Sequence, residues 1–162
     1  MTTPDRVRYF VDTEFIEDGV TIDLVSIGVV REDGAEFYRE VTGVDWSKAN
    51  EWVLTNVRPH LSGLLDSREA IAADLLSFIG DDRPEFWGYY ADYDWVVIAQ
   101  LYGRMIDLPS GWPMFCMDLK QLAVSLGDQK LPEQTTTEHH ALADARWNRD
   151  VYEWLTAEVP GV

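Results

Sequence analysis

The opening of the chain constrains its fold more than any other feature. Residues 6–15 (RVRYFVDTEF) alternate in polarity and carry Val, Tyr and Phe, which predicts a strand. Residues 21–31 (TIDLVSIGVVR) predict a second. Asp33-Gly34 is a hairpin turn signal, and residues 35–41 (AEFYREV) predict a third. A three-stranded antiparallel meander of this kind needs its faces covered, and the rest of the chain offers the cover. Residues 67–80 place Ile71, Leu75, Leu76 and Ile79 at helical spacing before Gly80. A short buried strand is expected at 85–90 and a helix from Asp94 to Met105. Another strand follows at 114–117 and a helix from Asp118 to Leu126. Residues 46–62 are mixed and contain one helix, and 127–138 form a loop. A helix from about Ala141 to Glu158 closes the chain. Strands followed by helices alternating with short strands predict an α/β fold, a mixed sheet flanked by helices.

The length of 162 residues suits one domain, 1–162. No apolar run approaches the ~20 residues that span a bilayer. The start, MTTPDRVRYF, lacks the apolar core of a secretory signal. Cys116 is the single cysteine, so neither an internal disulfide nor a Cys-built zinc site can form. These features predict a cytoplasmic protein. The formal charge of −16 repels polyanions and argues against a generic nucleic-acid-binding module. It leaves room for an enzyme that meets nucleic acid through bound cations.

Several acidic residues stand where acidic residues are expensive. Asp12 and Glu14 are two apart in a strand, so both leave the same face as Phe10, while Tyr9, Val11 and Thr13 take the other. The pair fits a solvated edge strand, or a buried strand whose charges a cation offsets. Asp94 suits a helix N-cap, yet it also lies in line with Val97, Ile98 and Leu101. Asp144 shares a helical stripe with Trp147, Val151, Trp154 and Leu155, where an aspartate is rarely solvated. His139 and His140 sit just before it. Thr135 to Glu138 matches a capping box that could start the helix early. Hard oxygen donors without Cys select Mg²⁺ or Mn²⁺ over zinc. A histidine, with an ordinary pKa of ~6.5, suits proton removal from water near neutrality. Trp95, Trp112 and Phe15 are candidates for stacking on bases.

Val11-Asp12-Thr13-Glu14-Phe15, Ala91-Asp92-Tyr93-Asp94 and His139-His140-Ala141-Leu142-Ala143-Asp144 together resemble the three motifs of the DEDDh 3′–5′ exonucleases. With Trp87–Ala91 (WGYYA), the chain is similar to the small mycobacterial-type exoribonucleases of that family, themselves similar to ribonuclease T. The resemblance implies an RNase H-like fold, two Mg²⁺ ions that Mn²⁺ can replace, and a homodimer. It also implies release of nucleoside 5′-monophosphates from an RNA 3′ end, single-stranded or overhanging. By position, Asp12, Glu14, Asp94 and Asp144 become the metal ligands and His139 the general base. His140 falls at the motif's variable position. Thr13 and Phe15 are the expected substrate contacts, Phe15 on the terminal base. The chain departs from many relatives at Tyr90, where Asn or His stands, and at Phe15-Ile16, where Thr-Thr-Gly follows the glutamate. Two other readings remain open on the residues alone: a DNA exonuclease or proofreading module, and a non-catalytic acidic adaptor of the same fold.

Overall fold

The computed structural model describes residues 5–157. The expected meander is formed by β1 (Val7–Glu17), β2 (Ile22–Arg31) and β3 (Glu36–Val41), with Gly34 at φ +95° in the turn between the last two. Three shorter strands complete the sheet: β4 (Leu65–Asp66), β5 (Pro84–Gly88) and β6 (Met117–Asp118). The order is β4-β3-β2-β1-β5-β6. The meander is antiparallel, and β4, β5 and β6 add in parallel. β1 is therefore an interior strand, which excludes a solvated edge for Asp12 and Glu14.

The helices are α1 (Glu51–Asn56), α2 (Arg68–Ile79), α3 (Asp92–Gln100), α4 (Leu119–Ser125) and α5 (Ala141–Ala157). The period-2 alternation of β1 sorts its side chains between two cores. Tyr9 and Val11 pack with Ile71, Leu75 and Ile79 of α2 and Val97 and Ile98 of α3. Phe10 packs on the opposite face with Leu119 of α4 and Val151 and Leu155 of α5. Asp12, two residues after Phe10, continues that second face toward the start of α5.

Some expectations shift. Leu76 and Trp154 are 43% and 40% exposed, because the buried stripes of their helices run through Ile71–Leu75–Ile79 and Val151–Leu155 and leave them at the margin. α3 starts at Asp92 and ends at Gln100, since Gly103 at φ +122° breaks the helix and sends Met105 into a separate exposed turn. The two-residue β4 was not foreseen, being too short to show alternation. The capping-box match at 135–138 starts no helix; α5 begins at Ala141, where Ala143 N–H donates to His140 Nδ1 at 3.4 Å. The expected end of that helix, Glu158, lies outside the described residues. Trp95 and Trp112 are core residues packed on Phe86 with ring centroids 4.9 and 5.0 Å away, so neither is free to stack on a base. Among the described residues no helix is long and apolar enough to cross a membrane.

Candidate active site

The parallel pairing of β1 with β5 runs from Val7↔Pro84 to Phe10↔Trp87. Beyond it the carbonyl of Val11 accepts a hydrogen bond from Asn148 Nδ2 of α5 at 2.9 Å, and Asn148 is buried. A crevice at the carboxyl ends of adjacent parallel strands is the usual ligand position in open α/β sheets. Asp12 and Glu14 enter it from β1, whose register with β2 slips just after Glu14.

Asp94 comes from the first turn of α3. Its Oδ1 accepts from the Thr13 amide at 2.8 Å and the Thr13 hydroxyl at 2.5 Å, which ties α3 to the strand between Asp12 and Glu14. The turn ahead of α3 is itself held. Tyr90 adopts φ +51°, and the Ala91 amide donates to Asp118 Oδ2 at 2.8 Å, while the other Asp118 oxygen caps α4. Asp144 comes from the first turn of α5. Its Oδ2 accepts from the His139 amide at 3.0 Å and its Oδ1 from Gln134 Nε2 at 2.6 Å. His139 has φ +61°. Ligand atoms of Glu14, His139 and Asp144 lie within 4.8 Å of one another. The adjacent His140 is occupied otherwise: its ring stacks on Tyr38 at 4.7 Å, and burial lowers its pKa.

The electrostatics are those of crowded carboxyls without a counter-charge. Burial, then the charges of Asp94, Glu14 and Asp144, push Asp12 well above the usual carboxylate range. Burial, then Asp144 and Asp94, push Glu14 up to about 8. Burial raises Asp94 to about 6 despite the bonds from Thr13, and raises Asp144 despite those from Gln134 and His139. Among the described residues no ion pair involves any of the four. Protons or cations must therefore offset the repulsion, and a set of hard oxygens with one imidazole fits a divalent ion.

Two cavities flank the cluster. The smaller, about 360 Å³, runs past Asp12, Glu14 and Asp94 to Phe15 and to Trp52 and Val53 of α1. The larger, about 460 Å³, runs past Asp12, His139 and Asp144 to Tyr89, Pro132 and Trp147. All five residues expected to carry the chemistry thus line one or both. Thr13 is buried with its amide and hydroxyl spent on Asp94, and Phe15 is half-buried and meets Tyr93 edge to face, with ring centroids 6.0 Å apart.

The 3′–5′ exoribonuclease Rv2179c-like domain profile matches residues 7–156. The chain belongs to this family. It is 46% identical over 147 residues to the 3′–5′ exoribonuclease Rv2179c of Mycobacterium tuberculosis strain H37Rv, covering 86% of this chain and 88% of that protein. It is equally similar to the 3′–5′ exoribonuclease MT2234.1 of M. tuberculosis strain CDC 1551, with the same coverage. Among solved structures, the zinc-bound complex of E. coli exonuclease I with single-stranded DNA superposes with a TM-score of 0.73 at 14% identity. That match covers 96% of this chain but 42% of exonuclease I, and it establishes the RNase H-like fold.

Residues that sequence reasoning missed are uncharged. Trp52 is 51% exposed and sets its ring edge against His139, with centroids 4.7 Å apart. Gln134 and Asn148 hold Asp144 and β1. For Asn148 a signal existed: it lies four residues after Asp144 on a helical stripe that is otherwise apolar or catalytic in type.

Proposed function

We propose that the protein is a 3′–5′ exoribonuclease that shortens RNA from its 3′ end to nucleoside 5′-monophosphates, with residues 1–162 as one exonuclease domain. The observation that carries this reading is the convergence of Asp12 and Glu14 of β1, Asp94 of α3, Asp144 of α5 and His139 just before α5 on one crevice between two cavities. The four carboxylates would hold divalent cations, two Mg²⁺ ions that Mn²⁺ can replace. Such ions, when bound, supply Lewis-acid charge to the scissile phosphate and the departing 3′-oxygen.

The chain's own residues do the rest. The amide of His139 is pinned to Asp144, which carries the residue to the edge of the carboxylates, and the Trp52 ring meets its imidazole edge to face. From there it takes the proton of the attacking water. The terminal nucleotide enters the smaller cavity with its base against Phe15 and its sugar beside the backbone of residues 13–15. The mutual repulsion of the carboxylates keeps the site unfavourable for a bare phosphate until cations enter, which makes activity strictly cation-dependent.

The two M. tuberculosis relatives, both named exoribonucleases, favour RNA over the DNA alternative. The intact carboxylate set with its histidine disfavours a non-catalytic adaptor. A homodimer is supported by the exposed apolar side chains of Met105, Ile106, Met114 and Phe115, each more than half exposed. A lone cysteine accords with the cytoplasm. The test is a time course on matched 5′-labelled RNA and DNA strands with Mg²⁺ or with EDTA. Stepwise shortening of RNA only with Mg²⁺ is expected. Preferential digestion of DNA, or no digestion of either strand, would overturn the reading.

A further inference from the structure

We propose that the larger cavity is a binding subsite for the nucleotide immediately upstream of the scissile phosphate, and that Trp147 and Tyr89 hold its base by stacking. The inference rests on the exoribonuclease reading above and extends it to the part of the substrate left behind by the cut.

Topology makes the second site necessary. The two cavities share Asp12, His139 and Asp144 as a common wall. A phosphodiester placed on that wall has a nucleoside on each side. If the terminal one sits beside Phe15, its predecessor must lie across Asp12 and Asp144, in the larger cavity.

The lining says how the nucleotide is held. Among the described residues no Lys or Arg side chain lines either cavity, and the larger one carries Glu133 and Glu138. Such a wall repels a further phosphate, so attraction must come from the bases. Trp147 and Tyr89 are half-buried and meet edge to face, with centroids 5.2 Å apart at 87°. Trp147 is locked by its indole N–H, which donates to the Pro132 carbonyl at 3.1 Å. Tyr89 in turn packs on Tyr90 at 4.5 Å. A fixed aromatic corner costs little order to use, since its rotamers are already set. Trp147 lies three residues after Asp144 on α5, so the corner and the metal-site carboxylate face the same crevice.

The test begins on the substrate. The KM of the wild-type protein with Mg²⁺ is measured for an intact RNA, for the same RNA with an abasic penultimate residue, and for one with the abasic residue several steps upstream. A rise of about tenfold is expected for the penultimate lesion and a much smaller one for the distant lesion. On the protein side, the ratio of kcat/KM for the intact RNA to that for the penultimate-abasic RNA is compared across variants. Trp147→Ala and Tyr89→Leu should each lower that ratio about tenfold, and Trp147→Phe should restore most of it. Equal KM values for the intact and the penultimate-abasic RNA would overturn the proposal, whether or not the variants fold. Wild-type protein that cleaves none of these RNAs would instead overturn the exoribonuclease reading itself.

Discussion

Gly28 of β2 lies directly opposite Asp12 of β1, and α5 crosses so close above it that a Cβ there would collide with the backbone of Ala141 and Leu142. The missing side chain lets the start of the helix settle on the sheet beside Asp12. That approach delivers His139 and Asp144 to the carboxylates of β1. The φ of Gly28 lies outside the left-handed region, so its role is space for the site rather than backbone freedom.

Gly28→Ala should therefore push α5 away from the strand. A stability loss of about 1–3 kcal/mol is expected in denaturant unfolding, together with a fall in exonuclease rate. Unfolding and rate both unchanged from the wild type would contradict this placement of the helix.

Asn148 supplies the second tie between α5 and β1, its side-chain amide donating to the Val11 carbonyl in a buried setting. Asn148→Ala removes the donor and leaves that carbonyl unpaired at a cost of about 1–3 kcal/mol. The melting temperature should fall, and Mn²⁺ affinity by calorimetry should weaken because Asp12 and Asp144 lose their common anchor. A variant with wild-type melting and metal affinity would show that the bond is incidental.

His139 and His140 are neighbours with different surroundings. His139 borders both cavities, while His140 stacks on Tyr38 and caps α5. His139→Ala should lose most of the rate and keep Mn²⁺ affinity, whereas His140→Ala should lower the melting temperature. Loss of metal binding in His139→Ala would make His139 a ligand, as its closeness to Glu14 and Asp144 allows. Inactivity confined to a folded His140→Ala would move the base by one residue.

The raised carboxyls set the sign of the pH dependence. A carboxyl whose folded pKa exceeds its unfolded value binds protons more tightly when folded, so its contribution is present in acid and lost as pH rises to the folded value. Asp94 is held at about 6 and Glu14 at about 8, and Asp12 is raised as well. Without divalent cations the melting temperature should fall between about pH 5 and about pH 8. The lowered pKa of His140 acts in the opposite sense, but only toward the acid end. Mn²⁺ should raise the melting temperature more at the alkaline end, where cations replace lost protons. Asp12→Asn should flatten the metal-free profile. A metal-free melting temperature that climbs over this range would contradict the clustering.

The meander was legible because residues 6–15 alternate in polarity, residues 21–31 and 35–41 are rich in β-branched and aromatic side chains, and Asp33-Gly34 marks a hairpin turn. The ionic half of the site was legible for a related reason. Asp12, Asp94 and Asp144 are each charged residues on stripes that bury Phe10, Val97 or Val151, and such a placement is costly without a purpose. The uncharged half carried no comparable signal. A tryptophan at 52 or 147 reads as ordinary core, and Gln134 sits in a loop where glutamine is unremarkable. Their roles come from tertiary placement: Trp52 reaches His139 from α1, and Gln134 reaches Asp144 across ten residues of chain. Likewise β4 pairs with β3 through two residues, too few for any periodicity to register.

The most direct measurement is anomalous diffraction from crystals grown with Mn²⁺. Two peaks about 3.5–4 Å apart, bounded by Asp12, Glu14, Asp94 and Asp144, are expected. Carboxylates gathered as described with no anomalous density among them would contradict the claim that divalent cations hold this cluster together.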